Sequence, residues 1–232
     1  MSNLHFIGGE KGGVGKSVVA RLVVQRCIDT QAPFAAFDAD RSNGVLARHY
    51  GDFTKPLDLT QFDSADAIVT AATSGVAQVV VDLPAQSERH LSTWLDDADV
   101  LELAAECGVT VLFWHVIDDG KASLITLDRL LDTYGDRAKL VVVKNYGRGR
   151  NFDAFDSSPV RQMADQQGAT ILQLPALHEP VMHKIDHHDV SFWAAANNPS
   201  YVPDLFSTID QQRVKVWLKR AHSEFDKLTG LL

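Results

Sequence analysis

Short apolar runs recur along the whole chain, each closed by a turn and followed by a stretch of helical periodicity. The runs at 4–7, 34–37, 78–81, 109–116, 140–143 and 170–174 are of strand length and rich in Val, Ile, Leu and Phe, which predicts buried strands. Between them, 17–29, 64–73, 87–95, 123–134 and 159–167 space their apolar residues three and four apart, which predicts helices. In the first of these, Val18, Val19, Leu22, Val23 and Cys27 share one face, so the Cys27 thiol is expected in the core. Strands alternating with helices of this length need right-handed crossovers. The expected fold is therefore α/β, a mostly parallel, twisted sheet with helices on both faces. Such sheets bind ligands at the carboxyl ends of their strands, so candidate chemistry belongs in the turns that follow strands.

Composition narrows this picture without redirecting it. The 232 residues suffice for one large α/β domain or two small ones, and with no linker, repeat or low-complexity tract one domain over 1–232 is expected. No apolar run approaches the roughly eighteen residues that span a bilayer. Residues 1–7 carry neither a basic leader nor a small-residue cleavage site, so a cytoplasmic protein is expected. The two cysteines, Cys27 and Cys107, read better as two buried thiols than as a disulfide. A formal net charge of −8 leaves no global basic field, so any contact with DNA must come from a local patch.

The sharpest local signal lies at the end of the first predicted strand. Ile7 closes the strand, Gly8 to Gly15 form a glycine-rich loop, and Lys16-Ser17 open a helix, which is the context a phosphate-binding P-loop requires. Glycines let backbone N–H groups turn toward phosphate oxygens, and the helix N-terminus adds its positive dipole end. Lys16 is then expected to reach the β- and γ-phosphates of ATP, and the Ser17 hydroxyl to coordinate Mg²⁺. The loop residues Gly12, Gly13, Val14, Gly15, Lys16, Ser17 and Val18 are the expected nucleotide cradle. The strict pattern has glycine six residues before the lysine; this chain has Glu10.

Lys11 directly precedes the double glycine. The run Lys11-Gly12-Gly13-Val14-Gly15-Lys16-Ser17 resembles the deviant Walker A loop of the ParA/MinD family of P-loop ATPases, and the resemblance extends over essentially the whole chain. It implies an Mg²⁺-dependent ATPase that dimerises on ATP, with Lys11 reaching across a nucleotide sandwich to the partner's phosphates. By the same resemblance Asp38-Ala39-Asp40 is the first switch, Asp38 serving the Mg²⁺ water shell and Asp40 orienting the attacking water. The alternative for Asp40 is a turn cap through Ser42-Asn43-Gly44. Val79-Val80-Val81-Asp82-Leu83-Pro84 reads as the Walker B strand and second switch, with Asp82 holding Mg²⁺. Asn145, after the strand at 140–143, falls where the family reads the adenine edge, and Pro175-Ala176-Leu177 matches its second base-contacting loop.

Other features carry less. His183 and His187 stand four apart but follow no HExxH order, and two isolated cysteines cannot supply an iron–sulfur site. No helix-turn-helix extension precedes the loop, so operator-specific DNA binding is not expected. The wording Phe6-Ile7-Gly8-Gly9-Glu10-Lys11 and Phe37-Asp38-Ala39-Asp40-Arg41-Ser42 resembles plasmid-borne members linked to stability and conjugative mobilisation, the StbB- and MobD-like proteins. The leading expectation is an ATP-driven dimerising switch in DNA or plasmid segregation, with a partner protein stimulating hydrolysis, non-specific DNA as a candidate ligand and no membrane. Two alternatives stand beside it: a MinD-like membrane-positioning switch, and an ATP-dependent metabolic ligase on the same scaffold. The stretch 209–228 is expected to be a last helix whose Val214, Trp217, Leu218, Ala221, Phe225 and Leu228 form one apolar stripe packed on the core, with Lys219 and Arg220 on a basic edge; a DNA-facing edge of a dimer and a membrane-surface helix are its other readings.

Overall fold

The computed structural model describes every residue except Met1, Val202 and Pro203. Among the described residues seven strands form one sheet: β1 (Ser2–Gly8), β2 (Phe34–Asp38), β3 (Thr54–Pro56), β4 (Gln78–Asp82), β5 (Val109–Ile117), β6 (Lys139–Asn145) and β7 (Thr170–Leu174). Their order is β3-β2-β4-β1-β5-β6-β7 and every pairing is parallel.

The near-continuous apolar character of these strands follows from burial on both faces. Successive residues alternate between two layers. Leu4, Phe6, Val79, Val81, Val111, Phe113, Leu140 and Val142 pack on one face, while Ile7, Val80, Leu112, Trp114, Val141 and Val143 pack on the other. The first layer is covered by the helices Phe62–Thr73, Glu88–Asp97, Val100–Glu106, Lys121–Tyr134 and Pro159–Gln166, through residues such as Ile68, Trp94, Leu101, Leu131 and Ala164. The second is covered by Lys16–Thr30, Glu179–His187, Phe192–Asn197 and Thr208–Phe225. β1 lies between β4 and β5, where the chain's path across the sheet reverses, and this opens a crevice at the carboxyl end of β1.

The six predicted strands are all present, each extended by up to three residues. β3 adds a seventh. It was not legible because only Thr54 of its three residues is buried, and Pro56, with no N–H to donate, is tolerated at a sheet edge. Cys27 is buried as expected, whereas Cys107 is exposed: the helix Val100–Glu106 ends just before it, and Cys107 sits at the helix C-cap. His183 and His187 lie on one face of the helix Glu179–His187 with their rings stacked 6.0 Å apart, and no metal-ligating cluster occurs among the described residues. No helix of the described residues is long and apolar enough to cross a membrane.

The helix Thr208–Phe225 opens on a capping box in which Ser207 and Asp210 satisfy each other's backbone N–H groups. Its stripe is in the core: Val214, Trp217, Ala221 and Phe225 are at most 3% exposed, and the Trp217 indole N–H donates to the Pro175 carbonyl at 2.7 Å. Lys219 and Arg220 lie on its exposed side.

Candidate functional site

The glycine-rich loop leaves β1 at the centre of the crevice. Gly15 takes a φ of 100° at the N-cap of the helix Lys16–Thr30. A Cβ there would meet the Asn145 side-chain nitrogen at 2.2 Å, so only glycine lets the loop approach β6 this closely. The helix start has no side-chain cap and no acidic residue in its first turn, which leaves its positive end facing the crevice.

Lys16 is 8% exposed and donates to the Lys11 carbonyl at 2.9 Å, so the ammonium closes the loop on itself. Burial lowers its pKa, while the carboxylates of Asp82, Glu10 and Asp40 act in the opposite sense. Asp38 and Asp82 are register partners at the ends of neighbouring strands, and Ile7 pairs with Asp82 from the other side. Both acids are shut from water, at 3% and 0% exposure. The carboxylate of Asp38 accepts from the Asp40 backbone N–H at 3.0 Å and from that of Ala47 at 2.9 Å, yet burial still raises its pKa.

Asp82 is the unusual member. Burial pushes its carboxyl up to about 7, and Asp38 adds to the rise; the Ser17 hydroxyl, Lys16 and Arg21 lower it only in part. Neither of its oxygens meets the geometry of a full hydrogen bond. A buried carboxylate without partners is costly unless a cation completes it. Ser17, Asp38 and Asp82 form the oxygen-rich donor set that suits Mg²⁺.

Asp40 lines the same crevice, a cleft of about 350 Å³ that also holds Gly13, Lys16, Ser17, Arg48 and Arg148. Its carboxylate accepts from the backbone N–H groups of Ser42 and Asn43 at 3.1 and 3.0 Å and from the Asn43 amide at 3.0 Å. The turn-capping arrangement considered for it is thus formed. Lys11 makes a 2.5 Å ion pair with Asp118, just beyond β5. Burial raises the Asp118 pKa, but hydrogen bonds from Lys11, Ser123 and Gly120 outweigh it and hold the carboxyl below its ordinary value.

A second cleft, of about 530 Å³, adjoins the first and shares Val18, Arg148 and Asp186 with it. Tyr146, Pro175, Leu177 and Trp217 supply apolar surface suited to a planar base. Asn145 is there too, but its amide is engaged. It donates to the Val14 carbonyl at 2.7 Å and accepts from the Gly147 N–H at 2.9 Å. In this geometry Asn145 is a strut between the phosphate loop and the end of β6 before it is a reader of a base edge.

The sequence pattern passed over three arginines. Arg148 lines both clefts, and Arg48 stands at the first-switch side of the phosphate cleft. Arg21, buried over the Phe192 ring, joins Asp186 at 2.9 Å. Arg21 falls at helical spacing from Ser17, which was the one available signal; Arg148 sits in a Gly-Arg-Gly-Arg turn that matches no fingerprint. Arg41, next to the first switch, pairs instead with Asp58 and is largely exposed.

No family model matches the chain. It is 25% identical to protein MobD of Acidithiobacillus ferrooxidans over 191 residues, covering 79% of this chain and 82% of that one. It is 23% identical to protein TraL of Escherichia coli over 240 residues, covering 97% and 98%. Among solved structures, the septum site-determining protein MinD of Pyrococcus horikoshii, complexed with Mg-ADP, superposes with a TM-score of 0.59 at 16% identity, over 100% of this chain and 98% of that one. A plasmid partition protein of Borrelia burgdorferi bound to AMPPNP gives 0.57 at 11%, over 98% and 100%. The solved structures share the fold, and the sequence relatives carry the kinship across the chain. The chain is thus similar in sequence to MobD and TraL proteins and has the P-loop NTPase fold of the MinD and ParA-like structures.

Proposed function

We propose that residues 1–232 form a single ATPase domain that binds Mg-ATP in the crevice, pairs with a second copy while ATP is bound, and separates after hydrolysis. The observation that carries this reading is the buried, unpartnered Asp82 carboxylate beside Ser17 and Lys16. Gly12 to Val18 hold the phosphates through backbone N–H groups, Lys16 turns from the Lys11 carbonyl to the β- and γ-phosphates, and the apolar cleft with Asn145 and Pro175 takes the adenine. Ser17, Asp38 and Asp82 would hold Mg²⁺, which supplies charge neutralisation at the phosphates when bound.

Asp40 orients the water whose oxygen bonds to the γ-phosphorus as the bond to ADP breaks. This requires its carboxylate to loosen from the Ser42–Asn43 turn, so the first switch must move before turnover. Lys11, held by Asp118 in the single copy, serves the facing copy's phosphates after pairing. Hydrolysis is slow until a partner protein assists, since an added arginine finger contributes roughly 10³–10⁵-fold. The MobD and TraL relatives and the plasmid partition neighbour support a role in plasmid segregation, stability or conjugative mobilisation. Against the membrane-positioning alternative, the apolar stripe of Thr208–Phe225 is committed to the core.

Titration with a fluorescent ATP analogue tests the binding step. Hydrogen bonds to charged groups contribute about 1.5–3 kcal/mol, so Lys16→Ala should weaken Mg-ATP roughly ten- to hundredfold. Equal affinity of the variant and the wild type would mean that this loop does not bind the phosphates.

A further inference from the structure

Glu10 stands where the strict phosphate-loop pattern has glycine, and nothing in the nucleotide chemistry above uses it. Its carboxylate accepts a hydrogen bond of 2.9 Å from the backbone N–H of Glu88, 78 residues away. Glu88 is the first residue of the helix Glu88–Asp97, whose N-cap residue, Ser87, makes no side-chain cap. The first N–H groups of a helix have no partner within it, and a carboxylate is the favoured group at that positive end. The cap of this helix is therefore delivered from the phosphate loop.

The segment between Asp82 and that helix makes the contact more than local decoration. Gln86 takes a φ of 60°, in the left-handed region, a strained conformation for a residue with a side chain. Such a backbone persists only where both ends are fixed. β4 fixes one end at Asp82; the other is held by the burial of Leu91, Trp94 and Leu95 from the helix, and the Glu10 contact ties that helix's first turn to the phosphate loop. Glu10 also acts electrostatically on Lys16 from within the same loop.

We propose that Glu10 is a positioning residue that ties the phosphate loop to the helix Glu88–Asp97, so that nucleotide entering the loop shifts the segment following Asp82. This rests on the nucleotide-switch reading above and adds to it the transmitting contact. A glycine at this position could make no such tether, which gives the departure from the strict pattern a physical role.

Hydrogen exchange over residues 86–92 tests it on the full chain, in wild type, Glu10→Ala and Glu10→Gln, with and without Mg-AMPPNP. Without nucleotide, loss of the cap in Glu10→Ala should speed exchange at Glu88 and its helical neighbours about tenfold, while Glu10→Gln, which keeps an acceptor oxygen, should stay within about twofold of wild type. With Mg-AMPPNP, wild type and Glu10→Gln should change exchange at both 11–19 and 86–92, and Glu10→Ala at 11–19 alone. Unchanged exchange in Glu10→Ala, faster exchange spread evenly over the sheet, or a wild-type response at 86–92 in Glu10→Ala would overturn the proposal. A wild type that responds to Mg-AMPPNP nowhere would sink the nucleotide reading instead, while the nucleotide-free comparison still decides the tether.

Discussion

Asp82→Asn should stabilise the nucleotide-free protein while removing most of what Mg-nucleotide adds. The carboxyl moves from its ordinary 3.8 to about 7 on folding. At about 1.4 kcal/mol per pH unit, that displacement corresponds to about 4 kcal/mol of destabilisation once the group is ionised. The sign follows from proton binding. Because the folded-state pKa is raised, the folded chain holds this proton more tightly than the unfolded chain does. Stability from this group is greatest at low pH, falls as pH rises through the interval from 3.8 to about 7, and levels off above it. Urea unfolding of wild type and Asp82→Asn at pH 5 and pH 8, in EDTA, isolates the effect. The variant's advantage should be about 2–3 kcal/mol larger at pH 8 than at pH 5. Saturating Mg-nucleotide, worth about 2.7 kcal/mol at a hundred times Kd, should then favour wild type and do little for the variant. An advantage that is flat with pH, or an Asp82→Asn protein that gains as much from Mg-nucleotide as wild type, would refute the idea that this carboxylate awaits a cation.

Two further expectations concern the last helix. Deleting residues 214–232 removes Trp217, Phe225 and Leu228 from the core. Full burial of such side chains contributes about 1.5–3 kcal/mol each, against a total stability of about 5–15 kcal/mol, so the truncated chain should be unfolded by circular dichroism. A folded, nucleotide-binding truncation that has lost only liposome binding would favour the membrane alternative. Lys219→Glu/Arg220→Glu should leave nucleotide binding intact and, if DNA is bound along the exposed edge, flatten the log–log salt dependence by about two, read by fluorescence anisotropy; an unchanged slope would place any DNA contact elsewhere.

The features legible in the sequence were those set by neighbours in the chain. The run from Ile7 through Ser17 predicts strand, loop and helix together, because turn glycines and a helix start are local demands. Val79 to Val81 and Leu140 to Val143 announce themselves as strands buried on both faces. Contacts between distant segments were not legible. Asn145 meeting Val14, Glu10 meeting Glu88 and Lys11 meeting Asp118 each join different strands' ends, and only the strand order brings those ends together. Short helices also escaped. Val45–His49 and Phe192–Asn197 have too few turns to show a periodicity, although Ser191 caps the second. Cys107 was misplaced because rejecting a disulfide says nothing of burial, and the residue falls at a helix C-cap that faces water.

A protein that pairs on ATP must change its mass in solution when ATP binds. Light scattering on wild type, Lys11→Ala and Asp40→Ala, each with Mg-ATP and with Mg-ADP, separates the steps. Wild type should double in mass with Mg-ATP and stay single with Mg-ADP. Lys11→Ala should bind ATP and remain single, while Asp40→Ala should stay paired long after wild type has separated. A wild type that binds Mg-ATP yet stays single, or a Lys11→Ala protein that pairs as wild type does, would contradict it.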